Sequence, residues 1–295
     1  MTCTLTTSTR SLKPLAVLVA ALCLLPGLAA AATTAQQPGK VFKDCKDCPE
    51  MIVLPAGTFT MGTPDDEIGH EPDESPQHPV TFAKPFAISR FQVLAGEFKA
   101  YQNETGARLN DFDVRPGRRC TNGKPSYPQE SQQPAVCMNL AEAQAYIAWL
   151  SNKTGKQYRL VSEAVREYAA RGGNPGPFPF PFDEGKNYQI SKHANTYGPT
   201  DGYTYTNPAK AFAPNAFGVY NMHGNVSEWV ADCYHPNYVG APADGSAWVE
   251  KSCELQSIRG NDYLEAPVFS RSGNRNNMYP NESGDWLGFR VERDL

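Results

Sequence analysis

The sequence predicts an α+β domain with low regular secondary structure. Three observations point there. Two helices are clearly signalled, one starting after Asn139 and one after Ser162. Proline and glycine number 25 and 24 in 295 residues, which favours turns over long helices. From residue 174 onward the chain shows short β-like runs, aromatic residues and turn residues, with no long helical pattern.

The elements follow in order. Arg10 and Lys13 precede an apolar run, Leu15 to Leu25, then Pro26-Gly27 and the small residues Leu28-Ala-Ala-Ala-Ala32. These parts read as a secretory signal over residues 1–31. The run falls short of the ~20 residues a spanning helix needs, so no membrane span is expected after its removal. A single arginine before the apolar core does not indicate twin-arginine export. Residues 32–44 read as a flexible leader and 45–295 as one domain, long enough for a single core. Met51-Ile-Val-Leu54 and Thr58-Phe-Thr-Met61 read as two strands around the turn Pro55-Ala-Gly57. Asp65, Asp66, Glu67, Glu71, Asp73 and Glu74 form an acidic stretch without the glycine-centred spacing of a calcium loop, and read as a solvated loop. Asn139 with Glu142 makes a capping box, Leu140, Ala143, Ile147 and Leu150 share a face, and Gly155 stops that helix. Ser162 caps the second helix, Glu163 to Arg171, which Gly172-Gly173 ends.

Loss of residues 1–31 removes two positive charges and no acids, leaving 25 basic and 31 acidic residues, net −6. A nucleic-acid partner would call for the opposite sign. Six of eight cysteines then remain, and an exported chain with six cysteines implies disulfides, with fifteen connectivities open. Sequence proximity suggests Cys45–Cys48, Cys120–Cys137 and Cys233–Cys253. The C-x-x-C spacing of Cys45-Lys-Asp-Cys48 is also that of redox sites, but this pair precedes a strand-like run rather than opening a helix. No glycine-rich run has the strand-before, helix-after context of a dinucleotide site.

Five blocks, in order, carry a resemblance: Met51 to Gly62; Tyr158-Arg-Leu-Val-Ser-Glu-Ala164 with Glu167 to Gly173; Phe217 to Trp229 with its Asn221-Met-His-Gly-Asn-Val-Ser-Glu-Trp229 core; Arg259-Gly-Asn-Asp-Tyr263; and Trp286-Leu-Gly-Phe-Arg290. Together they resemble the formylglycine-generating (sulfatase-modifying factor) family over nearly all of the mature chain. The resemblance implies a C-type-lectin-like fold. It also implies two structural calcium sites, one at Asn195, Thr196, Asp201 and Tyr203, the other at Asn221, Gly224, Val226 and Glu228. Calcium takes six to eight hard oxygens, and side-chain and carbonyl oxygens of this kind suit it. His70, His78, His193, His223 and His235 show no H-x-x-x-H-x-E triad, so histidine-held iron is not indicated.

The family's thiol chemistry is missing. Its two cysteines, which hold copper, correspond to Glu265 and Ser270. A carboxylate and a hydroxyl cannot replace the soft sulfur that selects Cu(I), so no copper is expected. Asp262 stands where the family has serine, Ser227 where tryptophan is common, and Trp286 where asparagine is frequent. One exported branch lacks the cysteines, the pyoverdine-maturation proteins, linked to oxidising the tyrosine-derived part of a siderophore precursor in the periplasm. The chain looks like that branch, which implies a secreted peptide-like precursor as partner, alongside other periplasmic maturation enzymes. Tyr263, Phe269, Tyr279 and Trp286 offer aromatic surface for such a peptide. Oxidation removes two electrons and two protons from a catechol-bearing ring. Glu265 is then the expected general base, Asp262 or Arg271 orients it, and dioxygen accepts the electrons. A salt bridge from Glu265 to Arg271 or Arg259 is the competing role. The competing function classes are a non-catalytic lectin-like module that binds a peptide or glycan, and a structural surface protein.

Overall fold

The computed structural model describes residues 37–180 and 190–295. Contacts divide the chain into residues 1–32 and 33–295. The expected signal and the first residues of the expected leader lie outside the described residues.

Two sheets organise the domain. The first runs β1 (Val41–Phe42), β2 (Met51–Leu54), β5 (Phe86–Ser89), β13 (Val291–Arg293) and β8 (Tyr158–Leu160), all antiparallel. The second runs β11 (Arg275–Met278), β10 (Gln256–Arg259), β9 (Ser227–Cys233) and β12 (Leu287–Phe289), with β12 parallel to β9. Hairpins β3 (Gly57–Met61) with β4 (His78–Phe82), and β6 (Phe112–Arg115) with β7 (Arg118–Cys120), stand apart. The α+β class with little regular structure holds, and no α-helix follows residue 171 among the described residues.

The strands around Pro55-Ala-Gly57 form as expected, in different sheets, whereas the flexible leader needs correction. Val41–Phe42 pairs with Met51–Ile52, so the leader's last residues are part of the sheet. A two-residue edge strand leaves no periodicity to read.

Helices α2 (Leu140–Thr154) and α3 (Glu163–Arg171) are capped by Asn139 and Ser162 and end on left-handed Gly155 and Gly172. α2 buries Leu140, Ala143, Tyr146, Ile147 and Leu150 in the main core with Met138, Trp229 and Phe289. Helix α1 (Ala95–Thr105) has no sequence signal of the usual kind, since Leu94 sits at its N-cap. The Glu97 carboxylate accepts the Leu94 N–H at 2.9 Å and closes that end instead.

Buried ion pairs hold the loops. Every residue of α3 is buried, including Glu163, Arg166, Glu167 and Arg171. Arg259 bridges Glu163 at 2.8 Å and Glu167 at 2.7 Å, Arg275 meets Glu163 at 2.6 Å, and Arg171 meets Glu167 at 2.7 Å. Facing arginines hold the Glu163 carboxyl down at about 2 against the opposing effect of burial. The acidic stretch is not wholly solvated, contrary to expectation: Glu74 is fully buried and, with Glu67, grips Arg271 at 2.7 and 2.8 Å. The three disulfides are Cys45–Cys48, Cys120–Cys137 and Cys233–Cys253, as proximity suggested.

Candidate functional site

The link from β10 to β11, residues 260–274, carries three of the altered family positions, Asp262, Glu265 and Ser270. Strand β10 ends at Arg259, pinned to α3, and the chain then turns on Gly260 at φ +93°. A Cβ there would lie 2.1 Å from Arg166 Nη2, so only glycine fits.

Asp262 follows, 4% exposed. Its carboxylate accepts the Leu264 N–H at 2.8 Å and the Ser227 hydroxyl at 3.1 Å. Burial outweighs these bonds, and with the neighbouring Glu265 and Asp285 charges it pushes the acid up to about 7. Tyr263 packs beneath, its hydroxyl bonded to Arg118. Arg118 donates to Asp285 at 2.6 Å and lies over the rings of Tyr127, Tyr205 and Tyr263 at 5.4–5.8 Å.

Glu265 is exposed on the wall of an open cleft of about 530 Å³. The cleft is also lined by Glu71, Asp73, Tyr234, Asn261, Phe269 and Arg275. The Glu265 carbonyl accepts the Tyr197 N–H at 2.9 Å, placing a largely exposed aromatic ring beside the loop. Among the described residues the Glu265 carboxyl makes no ion pair. Arg259 is held by Glu163 and Glu167, and Arg271 by Glu67 and Glu74. The expected bridging role therefore lacks its partners. Arg271, fully buried in that pair, anchors the loop to the acidic stretch and does not orient Glu265.

Ser270 is buried, and among the described residues its hydroxyl has no partner. Its carbonyl accepts a hydrogen bond from His223 Nδ1 at 2.7 Å, and the backbone of Ala170 also faces the buried ring. Burial pulls the His223 imidazole down to about 4. The two positions equivalent to the family's cysteines thus have separate surroundings, one at a cleft wall and one in the interior. Of the aromatics expected near a peptide, Phe269 lines the cleft; Tyr263, Tyr279 and Trp286 do not.

The two oxygen sets differ as cation sites. Asn195 Oδ1 is buried without a partner. Asp201 folds its loop by accepting the Thr196 and Tyr203 N–H groups, each at 2.9 Å. A buried amide oxygen without a partner is the kind of ligand a hard cation takes, so this set is compatible with calcium, which Asn195, Thr196, Asp201 and Tyr203 would hold. The second set does not fit in the same way. Glu228 is fully buried and accepts from Arg166 at 2.8 and 3.2 Å, from Arg290 at 3.0 Å through both oxygens, and from Gln92 at 3.0 Å. Arg290 also donates to the Asn221 carbonyl, and Gln92 to that of Val226. Gly224 is needed for close packing, since a Cβ would meet the Asn195 carbonyl at 2.1 Å. Two guanidinium groups stand where a cation would act.

Comparison with known proteins places this geometry. The sulfatase-modifying factor enzyme 1-like domain matches residues 37–295. The inactive C-alpha-formylglycine-generating enzyme 2 of Mus musculus is 31% identical over 286 residues, 82% of this chain and 85% of its own. The formylglycine-generating enzyme of Thermomonospora curvata is 31% identical over 229 residues, covering 64% and 73%. Among solved structures, PvdO from Pseudomonas aeruginosa superposes with a TM-score of 0.86 at 68% identity, covering 88% of this chain and 99% of that one. Five sequence blocks, the altered β10–β11 loop and these matches agree, and the chain belongs to the sulfatase-modifying factor enzyme 1-like family.

Proposed function

We propose that the protein matures an exported siderophore peptide of the pyoverdine class by oxidising its catechol-bearing chromophore precursor. The observation that carries this reading is the 68% identity to PvdO across nearly all of the domain. The cleft supports it, because Glu265 stands on its wall with no ion pair to neutralise it.

The reaction takes two electrons and two protons from the substrate. Dioxygen, the co-reactant, accepts both and leaves as hydrogen peroxide. A catechol gives up electrons readily only after losing a proton, so the protein's task is to hold the ring and accept that proton. Glu265 is the base in this reading. Asp262 sits three residues earlier in the same loop, where burial favours its protonated form near neutral pH and limits charge repulsion with Glu265. Phe269 and Tyr234 supply aromatic surface in the cleft. The setting is the periplasm, with other maturation enzymes acting before and after. Calcium held by Asn195, Thr196, Asp201 and Tyr203 would fix the loop whose Tyr197 N–H bonds the Glu265 carbonyl.

The test is Glu265→Gln in purified protein given reduced precursor and oxygen. A fall of about 10²–10³-fold in the rate of chromophore formation, with normal folding, is expected for a lost general base. Full activity of this variant would end the general-base assignment. Binding of precursor without turnover by the parent protein would favour the binding-module reading, in keeping with the inactive mammalian relative.

A further inference from the structure

We infer that Asn261 positions the substrate in the Glu265 cleft by hydrogen-bonding a peptide group. The inference rests on the cleft being the substrate site and adds the group that recognises the peptide portion.

Asn261 lines the cleft and is 5% exposed. Among the described residues its carboxamide has no hydrogen-bond partner. The amide is not sealed in the interior with the orphaned polar atoms, so its polar end opens to the cleft. Its backbone supplies a second clue. Asn261 has φ +56°, in the left-handed region that glycine enters freely and other residues enter at a cost. A glycine would serve the turn, so the asparagine adds a carboxamide that the turn itself does not need.

The chemistry of the walls indicates what that carboxamide binds. Glu71, Asp73 and Glu265 bring carboxylate oxygens, which accept hydrogen bonds. Arg275, also on the wall, has its guanidinium on Glu163 and on the carbonyls of Asp73 and His235, at 2.6–3.0 Å. Asn274 already leans on Glu74 at 3.5 Å. Asn276 and Asn277, on β11, line the cleft in more exposed positions; the buried Asn261 brings an uncommitted N–H donor together with an acceptor, and a peptide unit presents the complementary pair. It lies on the same loop as Glu265, four residues earlier, so a peptide held there would set the neighbouring ring relative to the carboxylate.

Asn261→Gly is the decisive variant, because it relieves the left-handed residue while removing the amide. Asn261→Asp is its companion, keeping the shape and removing the donor. Each is assayed for chromophore formation from reduced precursor, and for binding of the oxidised product by calorimetry. Both variants are expected to fold, with KM and the product Kd raised about tenfold, the scale of one lost hydrogen bond, and kcat within about twofold. Glu265→Gln is expected to show the opposite split, with kcat reduced and KM kept. A parent-like KM and Kd in Asn261→Gly would overturn the assignment while leaving the substrate reading intact. Parent protein that neither binds nor converts the precursor would overturn both.

Discussion

Replacing Glu228 by glutamine would separate two roles for the most heavily bonded carboxylate in the fold. Glu228 is fully buried and meets the two guanidinium groups of Arg166 and Arg290. Burial already pulls Arg290 down to about 10 despite its partner. A glutamine keeps the shape and one acceptor but leaves two positive groups facing each other in the interior. Breaking a buried pair in this way costs about 3–5 kcal/mol. With a urea m-value of about 2–3 kcal/mol per molar for a domain of this size, the midpoint should fall by about 1–2.5 M. The measurement is urea unfolding with disulfides intact, once with chelator and once with calcium, beside a calcium titration of each protein. If the arginines fill the cation's place, the variant loses the same stability in both conditions and binds as much calcium as the parent. Loss of one calcium equivalent, or a midpoint shift below about 0.3 M, would refute the reasoning.

Two further outcomes follow from the geometry. Asp262 has a folded pKa near 7, above its ordinary 3.8, so its contribution to stability is full below pH 4 and is lost as pH rises toward 7. Asp262→Asn mimics the protonated form; its stability relative to the parent should climb by up to about 4 kcal/mol between pH 4 and 8, at about 1.4 kcal/mol per pKa unit, and a pH-independent difference would contradict the raised pKa. The Cys120–Cys137 bond closes a loop of sequence separation 17; the double alanine variant should lose about 3 kcal/mol in chemical unfolding, and a loss under about 1 kcal/mol would show that β7 and its neighbours are held by packing alone.

Local signals were legible because their physics is local. Asn139 with Glu142, and Ser162 ahead of Glu163, satisfy helix ends within a few residues, so the capped helices were readable from the chain. Helix α1 was not, since its N-terminal bond comes from Glu97 behind an apolar Leu94. The acidic stretch misled for a different reason: Arg271, the partner that buries Glu74, is nearly two hundred residues away. Glu265 was identifiable from its place in the family pattern. Asn261 was passed over because an asparagine after glycine reads as an ordinary turn residue until its amide is found without a partner.

The resemblance to the family identified the exchange of two thiols for an acid and a hydroxyl, while the sequence alone determined the α+β class and the capped helices and suggested the three local cysteine pairs. These depend on residue type and short spacing. The tertiary structure decided which charges neutralise one another: Arg271 went to Glu74, Arg259 to α3, and Glu228 to two arginines, leaving Glu265 on a cleft wall. Ion pairing in the interior depends on three-dimensional proximity and on the cost of leaving any buried charge alone, and no spacing along the chain encodes either.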